Sequence, residues 1–436
     1  MSNPTRREFL AASSAAVAAG SAAISSAGEP EKLAIDGGQK TVGPAPKHVR
    51  WGEPEREQLT KVVDQTSLMY WKGPQTTLFT ERFKAIYPFE HVQVCSSGTA
   101  ALHIAVAAAG IGPGDEVITS SITDIGTVVG VLFQLGVPVF ADLKPTTYNL
   151  DPADVAKKIT PKTKAIIAVH LGGNPCDMAA LRALADKHNL VLIEDSCQAW
   201  GALDRGKPIG TAGHINCFSL QQSKHISTGD GGVVASSDPK FGPLLQRFGD
   251  KGMDRSGATG GLFHEFATNY RMSELQSAFG AAQITRLEKI AANRSRAGNL
   301  LTTRIRDVKG LTAHEVKESD RCVYWFYMLR MKPEAFTCDR AKFVKALAAE
   351  GIPASAGYIP VPLYGNPVFQ KHAFFAGRWP VKELGLTDMD YSKVKLPETQ
   401  AILDTSIRIQ LNEAMPDDYI EAIAAGVTKV AKHYAV

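Results

Sequence analysis

At 436 residues the chain is too long for one compact domain and has material for two or three. Its net charge of +4 is small for that length, and no Lys/Arg block lies beside an aromatic stripe, which argues against a nucleic-acid partner. No apolar stretch reaches the roughly 20 residues of a membrane span, and six cysteines without a C-x-x-C spacing make no case for a metal cage or a disulfide scaffold. The expected class is a small-molecule enzyme with no metal.

Residues 1–30 read as a targeting segment. Arg6-Arg7 starts it, an Ala/Ser-rich apolar run follows from Ala11 to Ile24, and the small residues Ser25, Ser26 and Ala27 precede Gly28. Charged start, apolar middle and small-residue exit make a signal peptide, and the arginine pair points to the twin-arginine machinery. The protein is therefore expected to be exported to the periplasm already folded.

From Val92 onward, short apolar runs alternate with helix-like stretches. Val92–Cys95, Glu116–Thr119, Val137–Asp142, Ala165–His170, Leu190–Asp195, Ile215–Ser219 and Gly232–Ser236 are Val/Ile-rich and mostly too apolar for one-sided burial. Helical patterns such as Thr99–Ala109 and Asp177–His188 lie between them. This is an α/β arrangement, a largely parallel sheet of seven strands with helices on both faces. A glycine-rich loop (252–261) precedes a long helix expected over Ser273–Arg294. Beyond it, a strand Val323–Met331, a helix Arg340–Glu350, a strand Ile407–Gln410 and a helix Pro416–His433 suit a smaller C-terminal α/β domain. The expected division is 1–30, 31–292 and 293–436.

Three segments at strand ends carry the chemistry, because ligands of open α/β sheets gather at the carboxyl edge. In Cys95-Ser96-Ser97-Gly98-Thr99 a strand turns into a helix, which suits either a plain N-cap or an anion site at the helix N-terminus. Asp195 ends an apolar strand and Gln198 follows three residues on. The Asp195 carboxylate either caps the next helix or pairs with a protonated ring nitrogen. Lys224 lies between a strand and the turn Gly229-Asp230-Gly231-Gly232, where a desolvated amine can condense with a carbonyl.

With those segments in view, the chain resembles the DegT/DnrJ/StrS aminotransferase family from about Leu33 to the C-terminus. Seven stretches carry the resemblance in the family's order: SSGTAALHIA, GIGPGDEVITS, VPVFADLKPTTYNLD, AVHLGGNPCDM, LIEDSCQAWGA, FSLQQSKHISTGDGG and NYRMSELQSAFGAAQI. The resemblance implies a type I fold binding pyridoxal 5'-phosphate, a homodimer with shared active sites, and transfer of an amino group from an amino-acid donor to a cyclic ketone. By it, Lys224 is the Schiff-base lysine, Asp195 the partner of the pyridine nitrogen and Gln198 a residue packed against the ring. Gly98, Thr99 and Ser219 contact the phosphate, and Asn269 reaches it from the other subunit.

The chain departs from the family in two places. Asp124 stands where an aromatic ring usually stacks on the cofactor, and Gly357-Tyr358 replaces the usual His-Tyr or His-Phe. Asp124 and Tyr358 are accordingly candidate substrate residues. Two rival readings keep the scaffold: a cofactor-dependent sugar dehydratase, and an exported binding protein without turnover.

Overall fold

The computed structural model describes residues 31–257 and 260–436, so the signal-peptide expectation for 1–30 lies outside the described residues. A seven-stranded sheet is built from β1 (His91–Cys95), β2 (Glu116–Ser120), β3 (Val137–Ala141), β4 (Thr163–Val169), β5 (Val191–Asp195), β8 (Ile215–Ser219) and β9 (Gly232–Ser236). Between β5 and β8 lies a small hairpin, β6 (Leu203–Asp204) with β7 (Lys207–Pro208). The sheet order is β1-β9-β8-β5-β4-β2-β3, and β9 runs antiparallel to both its neighbours while the other pairs are parallel. Since β9 reverses direction between them, β1 and β8 end on the same edge as β2 and β5.

Alternation along these strands explains why they are apolar throughout. Val117, Ile167, Ile193, Cys217 and Val234 face one core, packed under the helix Gly98–Ala108. Their neighbours Ile118, Ile166 and Leu192 face a second core, and Phe218 and Val233 a third. A sheet covered on both sides needs apolar residues at both phases of the pleat. At the β3 edge, Tyr391 donates its hydroxyl to the Pro138 carbonyl at 2.9 Å, and the aromatic segment around Phe369, Trp379 and Tyr391 covers the strand.

The C-terminal part has its own antiparallel sheet, ordered β10 (Leu311–Thr312), β11 (Tyr327–Met331), β13 (Ser406–Ile409) and β12 (Ala354–Ser355). The long helix expected over Ser273–Arg294 is two helices, Glu274–Gln283 and Leu287–Ile305, separated by a tighter turn at Ile284–Arg286. Ser273 is its N-cap, in a capping box with Gln276. The expected boundary at residue 292 falls within the second of these helices.

The strand expected from Val323 begins only at Tyr327. Val323 and Trp325 give their N–H groups to the carbonyls of Gly173 and Gly172, in the turn after β4, at 3.1 and 2.8 Å. Residues 323–326 thus leave the small sheet and dock on the turn after β4 of the large one. No helix among the described residues is long and apolar enough to cross a membrane.

Candidate active site

The carboxyl edge of the large sheet opens into a cavity of about 310 Å³, lined by Gly98, Thr99, Asp124, Asp195, Gln198 and Ser219 together with Lys224. Thr123, Thr127, Cys197, Ser223 and Trp325 complete much of its wall. Six of the residues singled out in the sequence, and the lysine, therefore converge as expected from strand ends. Tyr358 stands beside them, with Gln198 Nε2 donating toward its hydroxyl at 3.4 Å. Asn269 does not line the cavity of its own chain; it is exposed, and its Oδ1 accepts from the Arg271 N–H at 3.3 Å.

One end of the cavity is a helix N-terminus. Ser97 is the N-cap, accepting from the Ala100 N–H at 3.0 Å, a contact worth about 1 kcal/mol. The cap leaves Gly98 and Thr99 lining the cavity, so the N-cap reading does not exclude an anion site there. Gly98 is required by close packing: a Cβ there would lie 2.6 Å from Ser219 Cβ and 3.0 Å from Cys197 Sγ. Gly232 is required likewise, since a Cβ on it would overlap the Ser97 carbonyl. The glycine-rich turn after Lys224 can thereby lie directly against the turn that begins the helix.

Asp195 is buried, and both its oxygens are placed. Oδ1 accepts from the Cys197 N–H at 3.2 Å and Oδ2 from the Thr127 hydroxyl at 2.8 Å, with Thr127 in turn 2.8 Å from Thr123 Oγ1. No helix follows β5 before Leu203, so the carboxylate caps no helix; it holds the N–H of a turn residue and lines the cavity.

Lys224 is 9% exposed. Its loop is held by hydrogen bonds Leu220 N–H to Gly231 O at 2.7 Å and Thr228 N–H to Leu220 O at 2.9 Å. His225 adds a hydrogen bond to the Val323 carbonyl at 3.0 Å. Arg50, from the segment before the first helix, donates to the carbonyls of both Gln222 and Lys224. Burial depresses the lysine's pKa, opposed by the nearby Cys197, Asp195 and Asp124. Burial likewise raises the Tyr358 hydroxyl above its ordinary range, reinforced by Asp124 and Asp195.

Asp124 is exposed on the loop after β2, where Oδ1 accepts from the Gly126 N–H at 2.8 Å. Thr127, Trp325 and Arg50 went unread in the sequence. Thr127 had a signal, lying seven residues beyond the end of β2 on the functional edge. Trp325 and Arg50 had none, because long-range docking alone brings them here.

Across residues 50–428 the sequence matches the DegT/DnrJ/EryC1/StrS aminotransferase family. The chain belongs to that family. Among curated proteins it is similar to GDP-perosamine synthase of Caulobacter vibrioides, 35% identical over 70% of this chain and 82% of that one. It is also similar to L-glutamine:2-deoxy-scyllo-inosose aminotransferase of Streptomyces kanamyceticus, 32% identical over 82% of this chain and 86% of the relative. Among solved structures, an aminotransferase from Psychrobacter cryohalolentis superposes with a TM-score of 0.80 at 27% identity, covering 90% of this chain and 99% of that one. The protein is a pyridoxal-phosphate-dependent aminotransferase with the type I fold.

The cavity fits that cofactor. It offers helix N–H groups and hydroxyls for a phosphate, a carboxylate for a ring nitrogen and one buried primary amine. Among the described residues no cluster of His, Cys, Asp and Glu is placed to hold a metal ion.

Proposed function

We propose that this aminotransferase moves an amino group from glutamate or glutamine to a keto-sugar or a cyclitol-type cyclic ketone. The observation that carries the proposal is the convergence of Lys224, Asp195 and the Gly98–Thr99 turn in one cavity. The relatives' names support the acceptor class, for they include a perosamine synthase and a scyllo-inosose aminotransferase. The substrate side adds Asp124 and Tyr358, a carboxylate and a hydroxyl suited to a polyhydroxylated ring.

Bound pyridoxal phosphate supplies an aldehyde that condenses with amines and a ring that draws electrons from the donor's α-carbon. Lys224 holds the cofactor at rest. With a donor bound, the freed Lys224 Nζ would take the donor's α-proton, and with an acceptor bound it would deliver a proton to the acceptor carbon. Asp195 holds a proton on the ring nitrogen, and its bonds from Thr127 and Cys197 keep the carboxylate aimed. Gly98, Thr99 and Ser219 would take the phosphate, and Gln198 would pack against the ring.

Borohydride treatment of the yellow protein is expected to fix the cofactor on Lys224, and mass spectrometry of keto-sugars and cyclitol ketones with each donor reads the product. An adduct on another lysine would falsify the assignment. Loss of the cofactor's absorbance on adding donor separates transamination from dehydration without a donor and from binding without turnover.

The reading extends to a homodimer in which Asn269 of one chain reaches the phosphate of the other. The exposure of Asn269 outside its own cavity supports it, as do the exposed apolar side chains of Leu262, Phe263 and Phe266 on the same segment. Mixing Lys224→Ala and Asn269→Ala dimers under subunit exchange then creates one intact site per mixed dimer. Activity at limiting cofactor is expected to rise above either parent, and no rise with exchange confirmed removes Asn269 from the shared site. Export through the twin-arginine route rests on Arg6 and Arg7, and replacing both by lysine is expected to leave the protein in the cytoplasmic fraction.

A further inference from the structure

We propose that Trp325 is a positioning residue for the Lys224 amine, its indole face being the seat that amine occupies whenever it is not bonded to the cofactor. The proposal rests on the reading of Lys224 as the cofactor lysine. The lysine Nζ lies 3.7 Å from the Trp325 ring centroid. The ring is fixed to the lysine's own loop, because its Nε1–H donates to the carbonyl of Ser223 at 2.7 Å. The Trp325 N–H is held by Gly172 at 2.8 Å, and the ring of Tyr358 meets the indole edge-on with centroids 5.8 Å apart. A small-domain residue is thus anchored to the lysine turn at Ser223 and to the turn after β4 at Gly172, and it lines the cavity.

The chemistry gives such a seat a purpose. In each half-reaction the amine must leave and later return, and a free lysine side chain has many rotamers to search. Two carboxylates compete for it. Asp195, at the end of β5, must stay available for the ring nitrogen, and Asp124 faces the cavity from the loop after β2. An ion pair with Asp195 would block the ring's place and hold the amine charged. A π face attracts the ammonium without a directional bond, so the amine is retained near its target and released readily. The other titratable and charged groups around it are the Cys197 thiol, His225 next in the chain, Asp230 on the cavity wall and the Arg50 guanidinium on the Lys224 carbonyl. Burial lowers the lysine's pKa while Cys197, Asp195 and Asp124 oppose that shift; the indole face acts on the opposing side, because it favours the charged form.

Site-specific replacement of Trp325 by mono-, di- and trifluorotryptophan weakens the π face while keeping size and the Nε1–H. The measurement is acetylation of Lys224 in cofactor-stripped protein by acetic anhydride across a pH series, read by peptide mass spectrometry. The pH of half-labelling is expected to fall stepwise along the series, by about one unit in total. A midpoint unchanged across the series overturns the proposal. The borohydride adduct of each loaded protein is mapped in parallel. An adduct away from Lys224 overturns the underlying reading as well, whereas an adduct on Lys224 with a flat titration overturns the seat alone.

Discussion

One group of residues around the cavity, Gly98, Thr99, Asp195, Ser219 and Lys224, comes from at or beyond the ends of β1, β5 and β8, whereas a second takes Trp325 and Tyr358 from small-domain segments outside regular strands and Asp124 from a loop. Gly98, Thr99, Asp195 and Ser219 are placed by the sheet and the turns at its strand ends, with glycines where backbones touch, and Lys224 by the bonds of its loop to Gly231, Val323 and Arg50. The second is placed by docking of one domain on the other, through bonds such as Trp325 N–H to Gly172 O. The contrast matches a division of labour. On the proposed roles, cofactor chemistry, which needs the same geometry at every turnover, would sit on strand ends, and acceptor recognition, which varies with the substrate, on loops.

That division is open to attack by mutation, beginning with the strand-end group. Lys224→Ala removes the covalent anchor and the proton carrier together, so turnover is expected to fall at least about a thousandfold, with the borohydride-fixed adduct gone. Retained turnover in a single-turnover assay would move the chemistry elsewhere. Asp195→Asn keeps the shape but not the charge, and kcat is expected to drop about a hundredfold or more while cofactor loading survives. Measured kinetics close to wild type would remove Asp195 from the electron-withdrawing role.

Smaller effects sharpen the line between the groups. Thr127→Val deletes the 2.8 Å hydrogen bond to Asp195 without filling the cavity. A hydrogen bond to a charged group is worth about 1.5 kcal/mol at the low end, so kcat is expected to fall roughly tenfold with cofactor affinity nearly unchanged. Asp124→Asn lies in the second group, and its expected signature is a rise of about three- to tenfold in acceptor KM with loading and the donor half-reaction intact. A loss of cofactor affinity in place of that rise would put Asp124 with the strand-end residues.

The chain by itself determined the large sheet, whose strands lie within a few residues of their expected ends, because continuous Val/Ile runs bounded by turns report burial on both faces. It also put Asp195 at the close of an apolar run and Lys224 before a glycine turn, and these strand-end segments converge on one cavity, while their roles toward a cofactor came from the family resemblance. The long helix was misread at Ile284–Arg286 and the strand at Val323–Phe326, where local pattern gives way to contacts made across the fold. Tertiary structure alone decided that Arg50 would clamp the lysine loop, that Thr127 would hold Asp195, and that Trp325 would cover the amine. In sequence, Arg50 lies 174 residues from the lysine it holds, and no periodicity encodes so distant a partner. Such residues are placed by how helices and domains pack, which depends on the whole core at once.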